Sequence, residues 1–347
     1  MLAAVYYGPH DIRLEERPVP EIGPGEILLK VVSAGVCGTD LRIWHGAHRK
    51  FPPGTVRVPG HEVVGDIAAL GAEVKGLEVG QRVMVAPNIG CGHCRQCVSG
   101  NNNRCANYGG LGVTMDGGFA EYVRIPAPYL LQGNLIPIND GVDPAVAALI
   151  EPFACVLRGQ DALDIQPGDV VLVVGAGPIG VMHTMLARLR GAGRVVVSEV
   201  QAARLPHARA AGADRVVNPQ EEDLSAALME ESHGEGADAI IVAAPAHRAQ
   251  EEALALAAIG GRINFFGGLP SDRPTIQFNA NLVHYKELRV TGTTACSTQD
   301  CRRAAAIVNA GRIDLAPLVS QRYALGATLA ALAAAESQTA LKVIIEP

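Results

Sequence analysis

The stretch VVLVVGAGPIG, residues 170–180, decides the fold of this chain. Its apolar residues predict a buried strand, and a G-x-G-x-x-G pattern follows directly, before an apolar helix expected to begin near Val181. Gly175 permits a tight turn, Gly177 lets a pyrophosphate approach the backbone, and Gly180 lets helix and strand pack closely. The helix N-terminus would offer free N–H groups to the phosphates. The stretch therefore predicts a dinucleotide-binding unit, with an ordinary strand-turn-helix connection as the alternative.

Further apolar runs, at 194–198, 239–243 and 262–266, alternate with alanine-rich segments. Buried strands that alternate with helices predict a doubly wound parallel sheet of the α/β class. Glu199 closes the first of these runs, where a carboxylate would accept both ribose hydroxyls of NAD and repel a 2′-phosphate. We therefore expect NAD rather than NADP, although Arg204 could receive a phosphate. A surface acid is the alternative interpretation of Glu199.

The first 150 residues or so have a different pattern, in which short β-rich runs are separated by clusters of glycine and proline. Such a pattern predicts an antiparallel, barrel-like unit. After about residue 290 the pattern is mixed, with two helices and a terminal strand. The predicted strands are 27–32, 63–67, 82–85 and 341–345, and the predicted helices are 300–309 and 327–335.

Eight cysteines are present, and four of them, at positions 91, 94, 97 and 105, fall in a glycine- and asparagine-rich segment of about 90–107. Four thiolates can enclose one Zn²⁺ tetrahedrally and leave no open position, which predicts a structural metal site. A disulfide pair and a nucleic-acid-binding zinc ribbon are the alternatives. We expect His93 to be solvated, and Cys155, Cys296 and Cys301 to be packing residues.

A second candidate metal site combines Cys37 with His61 and Glu62. A thiolate, an imidazole and a carboxylate are the mixed ligands that a catalytic zinc takes, with a fourth position left for water or substrate. Taken singly, a buried cysteine is usually a small apolar residue and a single histidine a satisfied polar one. The combination predicts a reactive metal site.

Length and composition narrow the classes of protein further. The chain has 347 residues, about twice the length of a typical domain, so two domains are expected. Its net charge of -6 and its lack of a basic patch argue against nucleic acid as a partner. The longest apolar stretch, around 170–182, is shorter than the roughly 20 residues that span a bilayer. We expect a soluble, cytoplasmic protein with no membrane contact, and the predicted dinucleotide and metal sites point to a small-molecule partner.

Six motifs stand in one order along the chain: Cys37-Gly38-Thr39-Asp40, Gly60-His61-Glu62, the four cysteines, Asp116 to Tyr122, Glu151-Pro152 and Gly175 to Gly180. In this order they resemble the zinc-dependent medium-chain alcohol dehydrogenases, over essentially the whole chain. The glutamate of Glu151-Pro152 resembles the polyol branch, typified by sorbitol (L-iditol) dehydrogenase, with L-threonine 3-dehydrogenase a near neighbour. Classical alcohol dehydrogenases place a cysteine ligand there.

The resemblance implies a GroES-like β-barrel catalytic domain formed by residues 1–152 and 291–347, with a Rossmann domain, 153–290, inserted between them. Relatives are dimers or tetramers, so it also implies a homo-oligomer, with a homotetramer expected. The residues it places along the NAD site are Gly175, Gly177, Pro178, Ile179, Gly180, Glu199, Arg204, Phe266, Gly267, Gly268, Thr293 and Thr294.

By the same resemblance Cys37, His61 and Glu151 hold a catalytic zinc, and Glu62 binds it directly or through water. Without the family, Glu151 is equally well interpreted as an acid at a helix start. The resemblance also implies that Thr39 begins a proton relay, with a turn hydroxyl as the alternative role.

One position departs from the family pattern: Arg42 stands where many polyol and threonine enzymes have a relay histidine. A guanidinium cannot accept a proton at working pH, so Arg42 is either a solvated side chain or a reader of an anionic substrate group. His45 could replace the histidine or be a surface imidazole.

The function that follows is zinc-dependent hydride transfer between a secondary hydroxyl of a polyol or sugar derivative and NAD. The alternatives are L-threonine 3-dehydrogenase or another alcohol dehydrogenase, an inactive zinc-stabilised binding protein, and, most remotely, a nucleic-acid-binding zinc protein.

Overall fold

The computed structural model describes residues 1–337 and 340–347, and it divides the chain into two compact units. The first, the catalytic unit, comprises Met1–Ala154 and Cys296–Pro347, and the second, the nucleotide unit, is Cys155–Ala295. These boundaries lie two residues after the first predicted one and five after the second. A single helix, Ile150–Asp161, runs through the first boundary, so no break in the backbone marks it.

Strands and helices are numbered in chain order. The strands are β1 Leu2–Gly8, β2 Asp11–Glu16, β3 Ile27–Val36, β4 Glu62–Leu70, β5 Arg82–Val85, β6 Asn88–Ile89, β7 Gly109–Gly110, β8 Tyr122–Ile125, β9 Leu135–Pro137, β10 Val170–Val174, β11 Arg194–Ser198, β12 Arg215–Val217, β13 Ala237–Val242, β14 Ala257–Phe265, β15 Arg289–Gly292, β16 Val319–Ala324 and β17 Lys342–Glu346. The α-helices are α1 Gly38–Trp44, α2 Arg95–Val98, α3 Ala127–Leu131, α4 Pro144–Ala148, α5 Ile150–Asp161, α6 Pro178–Leu189, α7 Leu205–Ala210, α8 Leu224–Glu231, α9 His247–Leu256, α10 Ala280–Tyr285, α11 Thr298–Asn309 and α12 Thr328–Glu336.

The nucleotide unit contains one six-stranded sheet in the order β12-β11-β10-β13-β14-β15, and every pairing in it is parallel. Valine, isoleucine and leucine fill the central strands, which are buried on both faces by the helices. The strand order reverses between β10 and β13, and ligands of such sheets bind outside the carboxyl ends of the strands at this point. The predicted doubly wound parallel sheet is confirmed.

The catalytic unit is built on a sheet in the order β16-β17-β3-β4-β5-β9, with β8 also paired to β3. All of its pairings are antiparallel except that of β16 with β17. The long strands β3 and β4 lie at its centre, and alternate side chains such as Ile27, Leu29 and Val31 enter a buried core. The predicted antiparallel, barrel-like unit is confirmed.

Several predicted elements have shifted ends. The helix expected near Val181 begins at Pro178, because proline has a fixed φ that suits the first helical position and Gly177 takes the N-cap in extended geometry. The strand predicted at 239–243 is Ala237–Val242, and the strand predicted at 262–266 starts earlier, at Ala257. The two C-terminal helices and the last strand lie within two residues of their predicted bounds. Among the described residues, no helix is long and apolar enough to cross a membrane.

Candidate functional site

The first candidate site lies where β3 ends and β4 begins. The two strands are antiparallel neighbours, and Gly35 pairs with Glu62 across them. Cys37 follows β3 as the N-cap of α1, and His61 directly precedes β4. One ligand atom each of Cys37, His61 and Glu62 lies within 4.8 Å of the other two. The fold therefore brings together three residues that are up to 25 positions apart in the sequence.

Asp40, on the first turn of α1, orients two members of this group. Its carboxylate is 1% exposed and accepts a hydrogen bond from the Cys37 backbone N–H at 2.9 Å. Its Oδ1 lies 3.5 Å from Nδ1 of His61 and accepts a bond from the Gly60 N–H at 3.3 Å. A carboxylate behind one ring nitrogen of a ligating histidine fixes the ring and leaves the other nitrogen for a metal.

The electrostatics of this cluster favour a cation. Burial lowers the pKa of His61, but the Asp40 carboxylate and the Cys37 thiolate outweigh burial and hold that pKa well above its usual value. His61 is buried, and the 3.5 Å contact of its Nδ1 with Asp40 is an ion pair rather than a hydrogen bond among the described residues. A thiolate, an imidazole and buried carboxylates around one point are a donor set that fits Zn²⁺.

Glu62 has a buried partner of its own. Nζ of Lys342, from β17, donates to both carboxylate oxygens of Glu62, at 2.7 Å for Oε1, and to the backbone oxygen of Val36 at 3.0 Å. Glu62 and Lys342 are 0% and 4% exposed. Because they form an ion pair, neither charge is left buried without a partner. A Cβ at position 35 would lie 1.9 Å from Glu62 Oε2, so only glycine fits there. The pair keeps both oxygens of Glu62 engaged.

Glu151 lies on the first turn of α5, directly before Pro152, and is 6% exposed. A solvated acid at a helix start would be exposed, so its burial argues against that interpretation. Its Oε1 accepts a hydrogen bond from Sγ of Cys296 at 3.5 Å. Burial raises the pKa of Glu151, while the nearby His61 imidazolium lowers it. Glu151 is outside the 4.8 Å group of Cys37, His61 and Glu62, and its role as a ligand stays a prediction.

The four predicted cysteines converge as a second group. The Sγ atoms of the four residues all lie within 4.8 Å of one another: Cys91, Cys94, Cys97 and Cys105. Backbone N–H groups of His93 and Cys94 lower the pKa of Cys91 to about 6, which favours the thiolate. Burial and the neighbouring thiols raise the pKa of Cys97 to about 12. Four thiolates cannot ionise together without a cation, so this group also fits Zn²⁺.

Three of the remaining predicted residues of the catalytic unit lie on α1 or just beyond it. Thr39 is half-buried in the first turn, while Arg42 and His45 are exposed. His45 Nε2 lies 2.7 Å from Glu336 Oε1, and its Nδ1 lies 3.3 Å from Nε2 of His10. His93, expected to be solvated, is exposed and contacts the backbone oxygen of Cys91 at 2.9 Å.

The glycine-rich turn of the nucleotide unit has the geometry that its sequence predicts. Gly175 has a φ of 103°, a conformation that favours glycine. A Cβ at Gly180 would lie 1.8 Å from the backbone oxygen of Gly175, so the helix can pack this closely on the turn only with glycine at position 180. Gly177 is the N-cap of α6, and Pro178 and Ile179 are its first positions, where the N–H groups have no partner within the helix and proline has none to offer. The turn is suited to bind a phosphate group.

Glu199 follows β11 and is 5% exposed. Its Oε2 accepts a hydrogen bond from the Ala176 N–H and its Oε1 accepts one from the Gln201 N–H, each at 2.7 Å. Arg204 Nη1 lies 3.9 Å from Glu199 Oε2. The carboxylate is thus fixed beside the glycine-rich turn, with a guanidinium at its back.

The other predicted cofactor residues follow β14 and β15. The N–H groups of Phe266 and Gly267 donate to the backbone oxygen of Val242, which holds the segment against the end of β13. Gly268 comes next in the chain. Thr293 Oγ1 donates to Asn264 Oδ1 at 3.3 Å, and Thr294 follows it. All of these residues lie after the carboxyl ends of parallel strands.

Three residues of the catalytic unit escaped sequence analysis. Asp40 had a detectable signal, because an acid three residues after an N-cap is typical of a capping box. Lys342 had none, since it lies 280 positions from Glu62. Cys296 was predicted to be a packing residue; it is fully buried as expected, but its thiol also contacts Glu151.

Comparison with known protein families gives two matches. The family model for the alcohol dehydrogenase GroES-like domain matches residues 23–137. The family model for zinc-binding dehydrogenases matches residues 178–310.

Known proteins are similar over nearly the whole length. The chain is 35% identical to L-galactonate-5-dehydrogenase of Escherichia coli (strain K12), over 93% of this chain and 91% of that protein. It is 33% identical to L-threonine 3-dehydrogenase of Chromobacterium violaceum, over 96% of each chain. Among solved structures, a protein of Sinorhizobium meliloti 1021 described as a zinc-binding dehydrogenase, bound to NADP, has a TM-score of 0.89 and 32% identity, over 100% of this chain and 99% of that one.

Proposed function

Because this chain belongs to the zinc-dependent medium-chain alcohol dehydrogenases, oxidoreductases that act on CH–OH groups with NAD or NADP, we propose that it oxidises a secondary hydroxyl of a polyol or sugar derivative with NAD. The observation that carries the proposal is the convergence of Cys37 and His61 with the buried carboxylate of Glu62 within 4.8 Å, with Asp40 behind His61. This donor set is that of a reactive metal site, whereas the group of four cysteines is closed.

We propose that Cys37, His61 and Glu151 hold the reactive zinc. Lys342 engages both oxygens of Glu62, which favours an indirect role for Glu62 and leaves Glu151 as the third ligand. The cysteines at 91, 94, 97 and 105 hold the structural zinc. When bound, the reactive zinc supplies a Lewis acid that lowers the pKa of a substrate hydroxyl.

The chain's own residues then orient the substrate and remove the proton. Asp40 fixes the His61 ring and the Cys37 backbone, so both ligands are positioned before substrate arrives. We propose that the Thr39 hydroxyl accepts the substrate proton at Oγ1 while passing its own to solvent. Arg42 cannot take part in this transfer, because its guanidinium has no acceptor site.

We propose NAD as the cofactor, bound along Gly175–Gly180. Its ribose hydroxyls would donate to the Glu199 oxygens, each of which can accept a second hydrogen bond beside the backbone N–H that it already binds. A 2′-phosphate would meet this buried carboxylate, which disfavours NADP, although Arg204 lies only 3.9 Å from the carboxylate. Because the similar Sinorhizobium meliloti protein is described with NADP, both cofactors belong in the test.

Two substrate classes are favoured by particular observations. The relatives named for L-galactonate and L-threonine act on molecules that carry a carboxylate. In this chain Arg42 is exposed and lies five residues after Cys37, where its guanidinium could pair with such a group. We therefore propose a sugar acid as the primary candidate and L-threonine as the second. The protein is further proposed to act in the cytoplasm as a homo-oligomer, in line with the resemblance alone.

The test is a substrate panel with NAD and NADP in parallel, in which an alditol, the aldonate of the same chain length and L-threonine are compared by NAD(P)H formation. We expect turnover with NAD, a lower KM for the aldonate than for the alditol, and loss of turnover after chelation. Arg42→Gln is expected to raise the KM for the aldonate but not for the alditol, and Arg312→Gln, an exposed arginine elsewhere in the catalytic unit, is the matched control. Turnover that survives complete metal removal would refute the zinc mechanism.

A further inference from the structure

Cys296 connects Glu151 to the four-cysteine lobe, residues 90–107, through a buried chain of hydrogen bonds. The Cys296 side chain is 0% exposed, and its Sγ donates to Glu151 Oε1 at 3.5 Å. A second buried thiol, that of Cys301, lies 3.4 Å from Cys296 Sγ. A thiol that donates to a buried carboxylate fixes the orientation of that carboxylate and stabilises its charge.

Cys296 is itself held by Asn88, which lies two residues before the lobe. Asn88 Nδ2 donates to the backbone oxygen of Cys296 at 2.8 Å and lies 3.8 Å from its sulfur. The amide of Asn88 cannot rotate freely, because its Oδ1 accepts a bond from the Tyr108 hydroxyl at 2.7 Å. The backbone oxygen of Asn88 accepts from the side-chain amides of Asn102 and Asn134, each at 2.8 Å.

Asn102, within the lobe, makes a second connection to the segment that contains Cys296, residues 296–298. It lies between the ligands Cys97 and Cys105 and is 6% exposed. Its Oδ1 accepts from the Thr298 N–H at 3.0 Å, and its Nδ2 donates to Thr298 Oγ1 at 3.0 Å. The fold of the lobe therefore fixes residues 296–298 at two points 196 and 208 positions away in the sequence.

We propose that Cys296 is a positioning residue for Glu151, and that the four-cysteine lobe, through Asn88 and Asn102, sets the orientation of this carboxylate toward the reactive metal. The proposal rests on the proposed function in one respect, the assignment of Glu151 as a metal ligand. It gives the lobe a role in the reactive site that its own closed metal cannot perform, and it gives a role to a cysteine that would otherwise only fill space.

The test compares Cys296→Ala, which removes the donor, with Cys296→Ser, which keeps an O–H donor of similar size. Cys301→Ala is the matched control, because Cys301 is equally buried but lies one thiol further from Glu151. For each variant of the full-length holoenzyme, zinc is titrated against a chelator. The reactive site is then loaded with Co²⁺, whose visible spectrum reports its coordination.

Residues behind metal ligands typically change metal affinity or activity by about 10- to 100-fold when they are removed. We therefore expect Cys296→Ala to lower the affinity of the reactive metal by about 10- to 100-fold and to alter the Co²⁺ spectrum. The zinc of the lobe should be retained, Cys296→Ser should recover most of the loss, and Cys301→Ala should behave like the wild type. Asn88→Ala should show the same kind of change as Cys296→Ala.

A wild-type Co²⁺ spectrum and metal affinity in Cys296→Ala would overturn the proposal, as would an equal loss in Cys301→Ala. If Cys296→Ala does not fold, Asn88→Ala decides by the same two measurements. These measurements do not need turnover. If the proposed oxidation is wrong, the wild type binds metal but is inactive. If this inference is wrong, Cys296→Ala keeps the metal affinity and the Co²⁺ spectrum of the wild type.

Discussion

The nucleotide unit contains a buried histidine whose protonation should set the acid limit of its stability. His183, on α6, is 0% exposed, and its Nε2 makes no hydrogen bond among the described residues. The Phe266 ring packs edge-on against it with centroids 4.7 Å apart, and Gln160 Nε2 lies 3.4 Å from its Nδ1. Burial, and to a smaller extent the charge of Arg190, lowers the pKa of His183 to about 3.

Because the pKa of His183 is lower in the folded chain than in the unfolded one, the unfolded chain binds more protons between about pH 3 and 6.5. The stability of the unit should therefore fall as the pH falls through this window, and be unaffected by His183 above it. Between pH 7 and pH 5 the free energy of unfolding should decrease by about 2 kcal/mol on this account alone.

His183→Met should remove this dependence, since methionine is apolar, adaptable in shape and favourable beside an aromatic ring. The assay is urea unfolding of wild type and variant at pH 7 and pH 5, followed by far-UV circular dichroism. The single tryptophan, Trp44, lies in the catalytic unit, so its fluorescence reports the other unit in the same samples. His284→Gln, at an exposed position of α10, is the matched control.

Taking the difference between wild type and variant cancels acid effects that they share, such as loss of zinc. The wild type should lose about 2 kcal/mol more than His183→Met between the two pH values, while His284→Gln should follow the wild type. Equal losses in wild type and His183→Met would refute the reasoning.

Three further predictions concern the catalytic unit. Lys342→Met leaves the Glu62 charge buried and unpaired, which should lower the free energy of unfolding in urea by about 3–5 kcal/mol. Adding Glu62→Gln should recover most of this loss, and a double variant no more stable than the single one would contradict the prediction. Asp40→Asn removes the charge behind His61 and should lower the affinity of the reactive zinc by about 10- to 100-fold in chelator competition, whereas Asp66→Asn, in a partly exposed ion pair, should not. Cys97→Ser should remove the structural zinc but leave the reactive zinc bound, so metal analysis should find one zinc fewer per chain. Unchanged zinc content, or a disulfide among these cysteines in mass spectrometry, would count against the assignment.

The features that could be predicted from the sequence are those whose residues are close along the chain. Gly175, Gly177 and Gly180 fall within six positions; Gly175 adopts a positive φ that favours glycine, and Gly180 leaves no room for a Cβ. The four cysteines fall within fifteen positions, so their spacing alone predicts convergence. Local chemistry was sufficient in both cases, and the parallel sheet follows from repeated local patterns.

The features that could not be predicted depend on long-range pairing. Nothing around Lys342 indicates that its side chain reaches Glu62, because lysine is common on strands at protein surfaces and its burial depends on β17 lying beside β3. The contact of Cys296 with Glu151 depends in the same way on a register set by the lobe. Even so, Cys37 and His61 could be predicted, because one follows a predicted strand, the other precedes the next, and their residue types together with Glu62 match a metal donor set.

The place of β17 in the catalytic sheet has a consequence for how the protein is made. Val343 pairs with Val36 across a separation of about 300 residues, and Lys342 reaches Val36 from 306 positions away. During synthesis on the ribosome, the edge of β3 that pairs with β17 stays unpaired until the whole nucleotide unit has been made. The nucleotide unit is continuous in sequence and can fold first. An unpaired strand edge is prone to associate with other chains. The buried Glu62–Lys342 pair is therefore formed last, and slow or interrupted synthesis past residue 295 should yield aggregates before it yields well-folded protein.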